Sequence, residues 1–148
     1  LFLESDREDR LLVWQTLRLV GVLCLGGSML ACGSPLEPSL VAEGQWGGDH
    51  VAATVTAAGA HFEFDCASAD SSQPLTLDER QRFTVPGRFV PEHPSVVEGQ
   101  VEDAHPSTIA GTVMADQMTL TIRLTDTGNT IGPLTLERGV SSRLSKCL

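Results

Sequence analysis

From Met118 to Thr125 the chain alternates without a slip. Met118, Leu120, Ile122 and Leu124 take one parity, and Thr119, Thr121, Arg123 and Thr125 take the other. Successive side chains of a strand leave on opposite faces, so this run makes one apolar and one polar face; a helical period of about 3.6 would scatter the same residues around an axis. The segment therefore predicts a half-buried strand. Asp126-Thr127-Gly128-Asn129 follows as a hairpin turn, and Ile131, Leu134 and Leu136 predict the return strand.

The same rhythm recurs upstream. Val51, Ala53 and Val55 alternate with Ala52, Thr54 and Thr56, and Ala58-Gly59 makes a turn. Phe62, Phe64 and Cys66 then alternate with His61, Glu63 and Asp65. A polar turn at Asp78-Glu79 leads to Phe83 and Val85, Pro86-Gly87 ends that strand, and Phe89-Val90 begin another. Ile109, Gly111 and Val113 lead to a turn at Ala115-Asp116-Gln117. From Glu43 onward no helical periodicity exceeds a turn or two, so the expected fold is all-β: an antiparallel meander of about eight strands closing into a barrel or a sandwich. Closure removes exposed strand edges. The proline- and acid-rich stretch from Pro91 to Pro106 breaks the pattern and reads as a long mobile loop.

The N-terminal quarter has another character. Arg10 and Arg18 precede an uncharged run from Leu19 to Ala31 that contains Gly21, Gly26 and Gly27. A positive flank, a short apolar core and small residues at its end describe an export signal, with a signal helix ahead of the β domain. Ser28-Met29-Leu30-Ala31-Cys32 resembles a bacterial lipobox, although Met29 and Leu30 stand where Leu and a small residue are usual. The resemblance implies cleavage before Cys32, lipidation of Cys32 and attachment to a membrane through the N-terminal lipid. Gly33, rather than Asp, after that cysteine implies the periplasmic face of the outer membrane in a cell with two membranes. The alternative is an uncleaved helix from Leu11 to Ala31. It would place Arg18 inside the span at about 2.5–3.5 kcal/mol near the centre, on an apolar run shorter than the roughly 20 residues needed. Glu4, Asp6, Glu8 and Asp9 suit a signal poorly, so the true start is expected later, near Leu11 to Val13, unless the chain is a fragment. The expected layout is a signal at 1–31, a lipidated cysteine and a Pro/Ser-rich tether at 32–42, and a domain at 43–148.

Such a domain is small and gains from a covalent staple. Cys24 would leave with the signal and Cys32 would carry lipid, which leaves Cys66 and Cys147 in an oxidising compartment. A disulfide between them would pin the C-terminal end to an early strand, closing a loop worth on the order of 4 kcal/mol; two unpaired buried thiols are the alternative. The net charge is −9 and Lys146 is the only lysine. A nucleic-acid partner is therefore excluded, since such binding needs a basic surface. The same charge argues against docking of the domain on anionic lipid.

Gly44-Gln45-Trp46-Gly47-Gly48 resembles the Gly-x-Trp opening of lipocalin-like and avidin-like barrels, in which the Trp plugs one end. Trp46 to His50, Phe62 to Cys66 and Arg143 to Leu148 together resemble small bacterial lipoproteins without an assigned activity, and that resemblance also implies the Cys66–Cys147 bridge.

The leading polar constellation is His61, Glu63 and Asp65, which alternation places on one side of a strand. If that side faced a barrel interior near Trp46, Asp49, His50 and Arg123, a polar pocket able to hold a small ligand or a divalent metal would follow; otherwise these are ordinary solvent-facing residues. Glu92, His93, Glu98, Glu102, Asp103 and His105 could chelate a metal only by overcoming the ordering entropy of their loop. Arg123 is expected to pair with Glu63 or Glu137, or to bind an anion. Glu63 and Asp65, about 7 Å apart on a strand, are spaced like glycosidase carboxylates, but no nucleophile elbow, zinc-binding helix or phosphate loop accompanies them. The sequence therefore implies no cofactor and no resident metal. It points to a non-catalytic binding or assembly module of the envelope, partnered by an envelope protein or a small ligand, with a lipocalin-like carrier as the alternative.

Overall fold

The computed structural model describes residues 38–92 and 103–147. The lipobox, Cys32, the expected signal helix, His93, Glu98 and Glu102 lie outside the described residues. Eight antiparallel strands run in chain order: β1 (Gly44–Gly48), β2 (Val51–Thr56), β3 (Gly59–Phe64), β4 (Ala67–Ser71), β5 (Arg82–Pro91), β6 (His105–Met114), β7 (Gln117–Leu124) and β8 (Thr130–Arg138). Each pairs with the next, and β8 closes on β1 through Trp46 opposite Arg138 and Gly47 opposite Glu137. The fold is a closed meander barrel. Its upper rim carries the β1–β2, β3–β4, β5–β6 and β7–β8 connections. The lower rim carries the other three, the approach to β1 and the exit of β8.

Two strands differ from the expectation, each for a local reason. The breaks foreseen at Pro86-Gly87 do not occur, and Phe83 to Val90 belong to one strand. Pro86 lies just past the last β4 pair, Asp70 opposite Arg88, so β5 is an edge on that side, and an edge tolerates a residue without an N–H. Gly87 is kept small by the neighbouring strand: a Cβ there would lie 2.4 Å from the Ile109 side chain. Conversely, Ala-Ser-Ala-Asp-Ser at 67–71 has no bulky apolar parity and gave no strand signal, yet it forms β4. Its inward residues Ala67, Ala69 and Ser71 are buried, and Ala69 pairs with both Phe62 and Phe89. Small residues are what the barrel needs beside those rings.

The interior is filled. Trp46, Val51, Phe62, Leu75, Phe83, Ile109, Met118, Leu120, Ile122 and Leu136 are buried almost completely and belong to one apolar cluster. Eight strands enclose a space just wide enough for side chains to fill, and burying each large side chain contributes about 1.5–3 kcal/mol. Gly111 shows how tight the fit is, because a Cβ there would sit 2.6 Å from the Phe83 ring and 2.7 Å from the Thr119 carbonyl. Residues ahead of Glu43 also belong to the barrel. Leu40 bridges to Thr76, and the Val41 N–H donates to the Leu75 carbonyl at 2.9 Å. Val41 and Leu75 thereby close the lower end, where the buried Trp46 indole donates to the Ala42 carbonyl at 3.0 Å.

Candidate functional site

The upper rim gathers most of the side chains that could carry chemistry. Its shape starts with a bulge. Leu120 faces Leu134 and Ile122 faces Ile131, so β8 spends one residue more than β7 over that stretch. The extra residue brings Ile131 and Leu134 onto the same inward face, although they are three apart and would otherwise diverge. Gly132 takes the strain at φ 104, with the Leu120 carbonyl 2.6 Å from where a Cβ would stand. Ile131 and Leu134 then meet Phe64, Ala67 and Phe89 around an open recess of about 310 Å³ at the barrel mouth, rimmed by His50, Asp65 and Cys66. The Phe64 and Phe89 rings, 6.1 Å apart and tilted by 44°, form its floor.

The C-terminal tail straps this rim. After β8 it crosses the outside of β1 at Gly47, where a Cβ would collide with the Val140 carbonyl. Arg143 then makes a parallel bridge beside Asp49: its N–H donates to the Gly48 carbonyl at 3.0 Å, and its carbonyl accepts from the His50 N–H at 2.8 Å. His50 holds a left-handed φ of 64°, uncommon outside glycine. Its Nδ1 donates to Asp65 Oδ2 at 2.6 Å, while Asp65 Oδ1 accepts from the Ser145 N–H at 2.8 Å. The Ser145 N–H, followed by the His50 side chain, holds the Asp65 carboxyl below the ordinary aspartate value. Lys146 Nζ reaches the Phe64 carbonyl at 3.1 Å and Glu92 at 3.0 Å. Cys147 bridges to Cys66, with a sequence separation of 81.

The expected polar constellation is therefore divided. The side of β3 carrying His61 and Glu63 does not face the interior; Phe62 and Phe64 do. The polar pair stands half-exposed on the outer wall, because the apolar parity of that strand takes the core. His61 Nδ1 donates to Asp70 Oδ1 at 2.6 Å, and its Nε2 is 3.7 Å from Glu63. Asp65 lies in the turn beyond, serving the strap. Trp46 is buried in the core, and its indole N–H is taken by the Ala42 carbonyl and not by a member of the set. Arg123 is exposed on the outer wall opposite Thr108 and Thr130, and among the described residues it makes no ion pair. The expected pairing with Glu137 fails by register: Glu137 faces Gln117 at the other end of β7, roughly 20 Å away at about 3.3 Å per residue. Glu63 is on β3, far around the barrel.

Pro91 ends β5, and His105 and Pro106 begin β6, so the ends of the expected loop are strand residues. His105 Nδ1 donates to Asp126 Oδ2 at 2.7 Å, and Asp103 lies 3.6 Å from Nε2. The Asp126 side chain raises the His105 pKa, and His105 in turn lowers that of Asp126. Among the described residues no three His, Cys, Asp or Glu side chains converge as metal ligands.

Sequence reasoning missed the aspartates. Asp70 was legible in principle: it lies as far beyond the Asp65-Cys66 turn as His61 lies before it, and that symmetry makes them cross-strand partners. The signal was lost with β4. Asp126 was read only as a turn residue. One side chain remains unexplained by pairing: the Ser107 hydroxyl is buried on β6 without a hydrogen-bond partner among the described residues.

No protein-family model matches this chain, and it matches no curated protein and no solved structure.

Proposed function

We propose that this chain is an envelope lipoprotein, anchored through acylated Cys32, whose barrel acts without catalysis as a binding or assembly module. The observation that supports this most is the filled interior: Phe62, Phe83, Ile109, Met118, Leu120 and Ile122 occupy the space a carrier would keep for its cargo. Recognition then belongs to the surface. The signal-like run before Cys32 and the Cys66–Cys147 bridge both suit an exported protein. The test has two parts. Metabolic labelling with palmitate should mark the wild-type chain and not Cys32→Ala. A photo-crosslinking residue at an exposed wall position such as Arg123 should then trap a specific envelope protein; a chain that takes no acyl group, or that crosslinks to nothing in intact cells, refutes the reading.

A second reading rests on the recess at the mouth. Its volume of about 310 Å³ is at the small end for ligand sites, and its walls are apolar with one imidazole–carboxylate pair at the edge. A small apolar group seated there would make the protein a shallow carrier.

A further inference from the structure

The outer wall of β5, β6 and β7 is lined mainly with hydroxyls. Phe83 and Leu120 take the core, which leaves their strand neighbours outside. Register sets Arg82, Thr112 and Thr119 in one row across the three strands, and Thr84, Ala110 and Thr121 in the next. Ala110 is short and Gly111 beside it has no side chain, so the middle of this wall is low. Thr76 and Asp78, in the β4–β5 connection, form a bank along one side. The result is an open trough of about 590 Å³, a volume within the range of ligand sites.

Among the described residues Asp78 and Arg82 are the only charged side chains that line the trough, and they pair with each other. Arg82 Nε and Nη2 donate to Asp78 Oδ2 at 3.0 and 2.9 Å. Asp78 Oδ1 accepts from the Arg82 and Arg80 N–H groups at 2.9 and 2.8 Å. The Arg82 N–H, followed by its side chain, holds the Asp78 carboxyl below the ordinary aspartate value. One stretch of backbone is left over. The Gln81 carbonyl accepts from Val113 on β6, while the Arg82 carbonyl accepts from Asp78 on the other side. Backbone groups alternate in direction along a strand, so Thr84 and Pro86 also point away from β6. β4 meets that side of β5 only from Arg88 upward, and Pro86 has no N–H. The Thr84 N–H and carbonyl therefore face the gap between β5 and the connection, and no hydrogen bond among the described residues takes them. Thr84 lines the trough from one side of that gap, and Thr76 and Asp78 line it from the other.

We propose that this trough binds a neutral saccharide chain bearing N-acetyl groups, with an acetamido group paired to the backbone of Thr84. A threonine hydroxyl both donates and accepts, as a sugar hydroxyl does, so the threonine rows suit a ligand covered in hydroxyls. An acetamido group presents one carbonyl and one N–H, the complement of what Thr84 offers at an open strand edge. An extended peptide would need a longer edge, and Asp78 on Arg82 and the missing N–H of Pro86 confine this one to a single residue. A charged ligand finds no unspent counter-charge, and a net charge of −9 repels a polyanion. Phe83 lies beneath with 2% of its surface open, too little for a sugar ring to stack on. Hydrogen bonds alone hold the ligand, which exchanges freely and is not retained through purification. The site is separate from the mouth recess and does not depend on acylation of Cys32.

The test titrates the full chain, by calorimetry, with chitotetraose and with cellotetraose, which has the same linkage and carries hydroxyls in place of the acetamido groups. Chitotetraose should bind about ten-fold more tightly, because only it can both donate to and accept from Thr84. Thr112→Val with Thr119→Val preserves the shape of the wall and suits a strand; it should weaken both sugars about ten-fold through loss of the hydroxyls. Thr54→Val, on β2 and outside the trough, should leave both affinities unchanged. Equal binding of the two sugars by the wild type overturns the acetamido pairing and the proposal with it. Binding of neither sugar, or an equal loss in Thr54→Val, overturns the site. A capped peptide of alternating threonine and valine that binds more tightly than chitotetraose also overturns it, in favour of strand addition at β5.

Discussion

Replacing both bridge cysteines, Cys66→Ser with Cys147→Ser, isolates the contribution of the covalent strap. The bridge closes a loop with a sequence separation of 81. Loop-closure entropy for that length amounts to about 4.5 kcal/mol at 25 °C. A barrel of this size has an unfolding entropy of about 2.1 cal/mol/K per residue, so the same loss should lower Tm by about 20 °C. The native contacts of the tail are not removed: Arg143 keeps its bridge to β1, Ser145 its bond to Asp65, and Lys146 its contacts with Phe64 and Glu92. The barrel should therefore keep its fold at 25 °C, while amide exchange at 143–147 accelerates relative to β6 and β7. Thermal unfolding followed by circular dichroism, with exchange read by mass spectrometry, measures both. A Tm drop under about 5 °C would refute the reasoning, because the unfolded chain would then gain little freedom from loss of the bridge.

Gly111→Ala should destabilise by about 1–3 kcal/mol through overpacking against the Phe83 ring and the Thr119 carbonyl. Phe83→Leu in the same chain should recover part of that loss, and strict additivity of the two in urea denaturation would contradict the packing argument. Ser107→Ala removes a buried hydroxyl without a protein partner and should raise stability by about 1 kcal/mol; a loss would mean the hydroxyl has a favourable role. The His105–Asp126 pair should make stability depend on pH with a definite sign. Asp126 is lowered from 3.8, so its contribution is present above that value and disappears as pH falls through the folded pKa. His105 is raised from 6.5, so its contribution is present below that value and disappears as pH rises through the folded pKa. The Tm difference between the wild type and Asp126→Asn should thus be widest between 3.8 and 6.5 and narrow on both sides. A difference that keeps growing above that window would show that the pair is not the cause.

The barrel was legible wherever large apolar residues alternate. β7 appears in the sequence as it does in the structure, because Met118, Leu120, Ile122 and Leu124 bury completely or nearly so on one face. β4 was hidden because its inward face consists of alanine and serine, chosen by the rings they oppose; only the pairing with Phe62 and Phe89 explains them. Pro86 was read as a strand end because its tolerance depends on where β4 stops, a non-local fact. The division of the His61, Glu63 and Asp65 set has the same origin. Alternation assigns two faces to a strand but does not say which one meets the core; the two phenylalanines decided that. The mouth recess depends on the bulge in β8, and no local signal separates Gly132-Pro133 as a bulge from an ordinary turn. The Cys66–Cys147 bridge, by contrast, followed from counting the thiols left once Cys24 and Cys32 had been assigned elsewhere.

The barrel interior is filled, and the proposed function has it work from its surface. Native mass spectrometry of Gly33–Leu148, purified from an oxidising periplasm, tests this directly. The expected spectrum shows a single species two hydrogens lighter than the reduced chain, with nothing retained. A mass that carries a small molecule under native conditions and sheds it on denaturation would contradict the account, and would make the recess beneath His50 and Asp65 the seat of a carrier.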